Sequence, residues 1–284
     1  MLVAKDFRFG MSMRFIKSRA AFVDKVKQAE DIGFDVLCVP DHLGAVAPIP
    51  ALTAAAMVTD KLKLSMYVLN AAFYKPALLS RDLGDLDKLS NGRLEIGLGT
   101  GYVKEEFDAA ELPYPSAGAR VDYLNHMTKY LKEHHPTTPI LIAGNGDRVL
   151  TIAAQHADII GLTGSRVKEA DDPLTERVEF VRNAAGDRFG ALELNLAVTA
   201  VPAEGESLPD LTMTRRYASG LSWTVMNVTP YFSRYSSSVS AISRGDPVRT
   251  ECMARISSSD NPDAYRRVIV RSGRLSPSAG TAVT

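Results

Sequence analysis

Over the first two-thirds of the chain, apolar residues follow two alternating rhythms. Short continuous apolar runs, of the kind that form strands buried on both faces, alternate with stretches whose apolar positions recur every three or four residues. Phe7–Met13 reads as the first strand. In Arg19–Ile32 the positions Ala21, Phe22, Val26 and Ala29 share one helical face, with Ser18 placed to cap the start and Gly33 to end it. A strand at Asp35–Val39, a short helix at Pro50–Thr59 and a strand at Leu62–Leu69 follow. Pro76–Leu89 reads as a helix with proline in its first turn, where the missing N–H does no harm. Arg93–Gly97, Pro139–Ala143, Ile159–Leu162 and Leu192–Ala200 complete the strands, with helices at Asp122–Glu133, Arg148–His156 and Leu174–Ala185 between them.

Apolar strands separated by helices call for a parallel sheet covered on both sides. No dinucleotide fingerprint follows the first strand, which favours an eightfold barrel over an open doubly wound sheet. The predicted fold class is α/β, a (β/α)8 TIM-type barrel whose eighth βα unit is degraded or irregular. The rhythm stops near residue 200. Ser233–Ser243 has neither a helical stripe nor a clean alternation, and Ser257–Asp263 is rich in turn residues. Thr212–Leu221 is the candidate helix there and Arg266–Val270 the candidate strand. The expected organisation is a barrel core over residues 1–200 and an irregular segment over 201–284, either an incomplete closure or an aberrant tail.

Composition narrows the function classes. Of 284 residues, 33 are basic and 33 acidic, so the formal net charge is zero and no electrostatic case exists for nucleic acid or an anionic membrane. Cys38 and Cys252 are far apart and form no metal-type spacing, so neither a disulfide framework nor a metal site is expected. No secretory signal or membrane span is legible, and a cytoplasmic enzyme with a small-molecule substrate is the expectation.

Barrel enzymes build their sites at the C-terminal ends of strands. There the sequence has Pro40-Asp41-His42 after the second strand and Asn70-Ala71-Ala72-Phe73 after the third. It has Gly97-Leu98-Gly99-Thr100-Gly101-Tyr102 at the fourth, Ala143-Gly144-Asn145-Gly146 at the fifth and Thr163-Gly164 at the sixth. A histidine side chain can hold or release a proton, which makes His42 a candidate proton carrier; the plainer reading is a strand-end cap. The glycines between 97 and 101 let backbone approach a ligand and expose N–H donors, with Thr100 adding a hydroxyl. The other histidines read as structural, Glu105-Glu106 as a solvated helix start, and Trp223 carries no assigned role. Phe15, Leu43, Phe73 and Tyr102 are the expected pocket wall.

The order VPDH, VLNAAFYKPALLSRDLGDLDKLSNGRLEIGLGTGYVKEEF and ILIAGNG followed by AAQHADIIGLTG resembles the luciferase-like flavin and deazaflavin oxidoreductases over residues 7–200, most closely the branch that uses coenzyme F420. The resemblance implies a homodimeric barrel with a tricyclic redox ring at its mouth and two-electron chemistry. It implies that Asp41 and His42 contact the ring or handle a proton. It implies that Tyr67, Val68, Leu69 and Asn70 form a bulge, often with a non-proline cis peptide, against the back of the ring. Gly99, Thr100, Gly101 and Tyr102 would meet the ribityl chain or phosphate. Ala143, Gly144, Asn145, Gly146, Thr163 and Gly164 would hold the phosphate-bearing tail. An F420-dependent oxidoreductase is the leading expectation. A monooxygenase using flavin mononucleotide (FMN) on the same fold is the alternative, and a non-catalytic or impaired barrel is a third reading.

Overall fold

A computed structural model of the chain describes residues 8–162, 173–198 and 221–226. These residues all fall within one compact unit; a second unit, residues 200–212 and 235–284, lies outside the described residues. The elements in order are β1 (Arg8–Met13), α1 (Arg19–Asp31), β2 (Val36–Val39), α2 (Pro48–Ala56), β3 (Lys63–Met66), β4 (Leu69–Asn70), α3 (Pro76–Leu89), β5 (Leu94–Gly99), α4 (Lys104–Ala109), α5 (Ala117–His134), β6 (Ile140–Ala143), α6 (Asp147–His156), β7 (Ile159–Leu162), α7 (Pro173–Ala185), β8 (Glu193–Val198) and β9 (Leu221–Met226).

The strands pair in the order β3-β2-β1-β9-β8-β7-β6-β5, and β3 also pairs with β5, so the sheet closes into a barrel. Every pairing between consecutive helix-linked strands is parallel. The closing strand β9 differs: it runs antiparallel to β1, with Met11 opposite Trp223, and antiparallel to β8, with Leu196 opposite Val225. The sequence pattern predicts no strand there. Of its candidate helix Thr212–Leu221, residues 212–220 lie outside the described residues, and Leu221 begins β9. The candidate strand Arg266–Val270 also lies outside the described residues.

Val36, Cys38, Leu141 and Ile159 pack into one buried cluster although β2 and β6 are not neighbours in the ring. That contact can only cross the lumen, so it fixes which alternate residues face inward. The outward set, including Leu37, Met66, Ile96, Leu98, Ile140, Ile142 and Ile160, is fully buried under the helices. Strands β2, β5 and β7 are buried at every position, which is why they read as near-continuous apolar runs.

The expected single strand Leu62–Leu69 is interrupted. The peptide bond between Tyr67 and Val68 is cis, and β4 resumes the pairing two residues on, with Leu69 beside Leu98 and Asn70 beside Gly99. Tyr67 and Val68 pack onto the lumen cluster from above. The helix read as Asp122–Glu133 begins earlier, at Ala117, where the Ser116 side chain accepts from the Ala119 N–H. Ser18 caps α1 as expected, accepting from Ala21 N–H at 3.2 Å.

Candidate active site

Above the Tyr67–Asn70 bulge lies a cavity of about 700 Å³ at the C-terminal ends of the strands. Asp41 and His42 reach it from the turn after β2, and Tyr67, Val68, Leu69 and Asn70 form part of its lining. Thr100, Gly101 and Tyr102 reach it after β5, and Ala143, Gly144, Asn145 and Gly146 after β6. Turns from four strands thus converge on one mouth. Thr163 and Gly164 lie outside the described residues. Gly99 is buried behind the bulge and is not part of the lining.

The glycines around position 100 have a structural reason. A Cβ on Gly97 would lie 1.8 Å from the Met66 carbonyl oxygen, and one on Gly99 would lie 2.6 Å from Val68 Cγ2. Gly101 has φ +69°, and its missing side chain leaves room for the Asn70 amide, whose Oδ1 would be 2.2 Å from a Cβ. By sequence these glycines point to ligand approach; in the fold those at 97 and 99 admit Met66 and Val68.

His42 Nδ1 lies 2.8 Å from Glu106 Oε1. Glu106 is on α4 and lines the same cavity. Its side chain is 15% exposed, not the solvated group that the Glu105-Glu106 pair suggested. A carboxylate only accepts, so Nδ1 carries the hydrogen, and in the neutral imidazole Nε2 is then the nitrogen with the free lone pair. Nothing in the sequence signals this pairing across 64 positions beyond the periodicity that puts Glu106 near the start of a short helix.

Asp41 is directed differently. Its Oδ2 accepts from the Asn70 N–H at 3.0 Å, and its carboxylate accepts from the Tyr74 hydroxyl. Burial pushes the Asp41 carboxyl above its usual range, although these two donors and His42 act in the opposite sense. Asn70 in turn accepts from Ala72 N–H through Oδ1 at 3.2 Å. Asp41 thereby ties the turn after β2 to the bulge. Burial also raises the pKa of the Tyr67 hydroxyl, which has no hydrogen-bond partner among the described residues. A Cβ on Gly161 would lie 2.9 Å from that oxygen.

Two elements supply positive potential. Helix α6 begins at Gly146 with no side-chain cap, so its first N–H groups are left for a ligand or solvent. Its first-turn carboxylate, Asp147, is paired with Arg177 at 2.6 Å. Arg120, on α5, is 8% exposed and lines the cavity. In the sequence Arg120 carries no signal beyond its place on a helix.

Of the expected wall residues, Tyr102 lines the cavity. Phe15 and Leu43 are exposed and outside the lining, and Phe73 packs edge-on against Phe107 with ring centroids 5.1 Å apart. Apolar loop residues near a mouth are often simply exposed, which composition cannot separate from lining. His134 bonds the Tyr130 carbonyl oxygen and His135 bonds Ser80, away from the site. No helix among the described residues is long and apolar enough to cross a membrane.

Comparison with known proteins bears on the fold and the family. The 5,10-methylenetetrahydromethanopterin reductase of Archaeoglobus fulgidus is 28% identical over 163 residues, covering 51% of this chain and 49% of the relative. The enzyme of the same name from Methanopyrus kandleri is 37% identical over 90 residues, covering 32% of this chain and 26% of the relative. The chain therefore spans about half or less of the curated relatives it matches. Among solved structures, the coenzyme F420-dependent tetrahydromethanopterin reductase from Methanopyrus kandleri superposes with a TM-score of 0.57 at 19% identity, covering 70% of this chain and 67% of that one. Riboflavin lyase with modified FMN and riboflavin gives a TM-score of 0.61 at 16% identity, covering 76% and 67%. At such identities the likeness establishes the barrel fold. The family profile described as luciferase-like monooxygenase matches residues 6–208, more than half of the sequence, and the chain belongs to that family.

Proposed function

We propose that the chain is an oxidoreductase that moves a hydride between the deazaflavin coenzyme F420 and a small organic substrate. The observation that carries this reading is the His42–Glu106 pair, joined at 2.8 Å in the wall of a cavity large enough for a tricyclic ring. The names of the relatives favour a reductase, and two structural neighbours are named as F420-dependent.

The residues present suit such a ring. The Tyr67–Asn70 bulge offers it a wall with one unpartnered hydroxyl, and the uncapped start of α6 together with Arg120 suits an anionic tail. When bound, the deazaflavin supplies or accepts the hydride. The chain's own residues do the rest. Glu106 fixes the His42 tautomer, so Nε2 is the atom that holds or receives the accompanying proton. Asp41 positions the bulge through the Asn70 N–H and the Tyr74 hydroxyl. The bulge and the buried lumen cluster beneath it exclude water from that side.

Fluorescence titration of the purified protein with F420 and with FMN tests the reading. F420 is expected to bind saturably and to support substrate-dependent redox change without oxygen uptake. The second reading, an FMN-dependent monooxygenase, is favoured by the family profile and by neighbours that include a long-chain alkane monooxygenase. Tight FMN binding with oxygen consumption would select it and overturn the first. The homodimer implied by the resemblance is checked by sedimentation equilibrium.

A further inference from the structure

We propose that Arg120 and Tyr114 are positioning residues that hold the turn from which Glu106 is delivered to His42. The proposal rests on the reading of His42 and Glu106 as the proton-handling pair. Helix α4 has six residues, and no side chain caps its start at Val103. A helix this short does not hold its own register, because nucleation costs more than so few hydrogen bonds return. Its placement has to come from outside.

Two contacts supply it. The carbonyl oxygens of Gly101 and Tyr102, consecutive in the turn that leads into α4, each accept one hydrogen bond. Arg120 Nε donates to Gly101 at 2.9 Å, and the Tyr114 hydroxyl donates to Tyr102 at 3.2 Å. The two donors also hold each other. The Arg120 guanidinium lies 4.3 Å from the Tyr114 ring centroid and donates to the Pro115 carbonyl. Tyr114 meets Phe107 of α4 edge-on at 5.0 Å. Phe107 is fully buried and is the next residue after Glu106. Turn, helix and clamp therefore form a closed circuit of contacts.

Arg120 is 8% exposed, and among the described residues no ion pair joins it to a carboxylate. Burying a cation with no carboxylate beside it is an expensive way to fill space. Besides facing the cavity, its planar fork is suited to fixing two carbonyl groups in one geometry.

The test reads the His42 Nδ1–H directly. Proton NMR of the wild-type chain should show a downfield imidazole resonance that disappears in Glu106→Gln. Tyr114→Phe keeps the ring on Phe107 and Arg120 and removes only the hydroxyl. It should melt like the wild type yet broaden or lose that resonance. Its hydride-transfer rate should fall about tenfold at an unchanged F420 dissociation constant, because small misplacements of acid–base groups cost rate more than affinity. Arg120→Met should lose the resonance outright. Should Arg120→Met fail to fold, Tyr114→Phe alone decides. A folded Tyr114→Phe that keeps the resonance and the rate overturns the clamp. A wild-type chain without any Glu106-dependent resonance removes the pair itself, and with it both this proposal and the reading it rests on.

Discussion

The two ends of the barrel both hold buried charge, and they treat it differently. Where the strands begin, Arg8 of β1 lies between Glu95 of β5 and Glu193 of β8, 2.7 Å from each. Burial works against the Arg8 charge, but the two carboxylates outweigh it and hold the guanidinium above its usual value. Where the strands end, His42 meets Glu106 through one nitrogen and leaves the other unused, and burial pushes the Asp41 carboxyl upward. The first arrangement joins strands that are not neighbours, so it braces the ring. The second keeps unspent hydrogen-bonding capacity beside a cavity. Conserving closure at the strand starts and reactivity at the strand ends is what a barrel's geometry permits, since helix–loop changes at the mouth leave the staves alone.

The largest expected effect strikes the braced end. Arg8→Met leaves the Glu95 carboxylate, with its side chain 4% exposed, without its guanidinium. Breaking such a pair from one side costs about 3–5 kcal/mol. Urea unfolding monitored by far-UV circular dichroism should show this loss with little change in the F420 dissociation constant. A loss below about 1 kcal/mol would place Arg8 among ordinary surface pairs and erase the contrast.

His42→Asn probes the other end. The His42 side chain is 29% exposed and makes one polar side-chain contact, so its removal should change stability by no more than about 0.5 kcal/mol. Single-turnover hydride transfer should slow by about 100-fold, the usual worth of a positioned acid or base. A variant that loses stability and keeps its rate would reverse the roles assigned to the two ends.

How much of this was legible in the sequence follows from what each feature depends on. The parallel strands are legible because most of their positions are buried, and runs such as Ile140–Ala143 hold apolar residues alone. The turns at Asp41, Asn70, Gly101 and Gly144 were readable because strand ends in a barrel share one rim. The break at Tyr67 was not visible in periodicity, since both sides of it are apolar. Strand β9 was missed because its sequence, LSWTVM, mixes polar and apolar residues in a serine-rich stretch. Glu106 and Arg120 were missed for one reason: their value lies in partners 64 and 19 positions away, and each looks locally like a solvated helical charge.

Asp41 gives the smallest effect and the finest discrimination. Its folded pKa is raised, with burial the leading cause. A carboxyl raised in the folded state contributes most to stability below its unfolded value, and that contribution is lost as pH climbs through the folded value. Asp41→Asn keeps an oxygen for the Asn70 N–H and a partner for the Tyr74 hydroxyl while removing the buried charge. The variant should melt like the wild type in acid and somewhat above it at neutral pH, the gap opening just above the ordinary carboxylate range. Melting curves at stepped pH measure this. If the gap opens the other way, with the wild type gaining on the variant as pH rises, then the Asp41 carboxylate is stabilised by its donors more than it is penalised by burial. The mouth would then brace the fold as the Arg8 cluster does, and its electrostatics would no longer distinguish it as the reactive end.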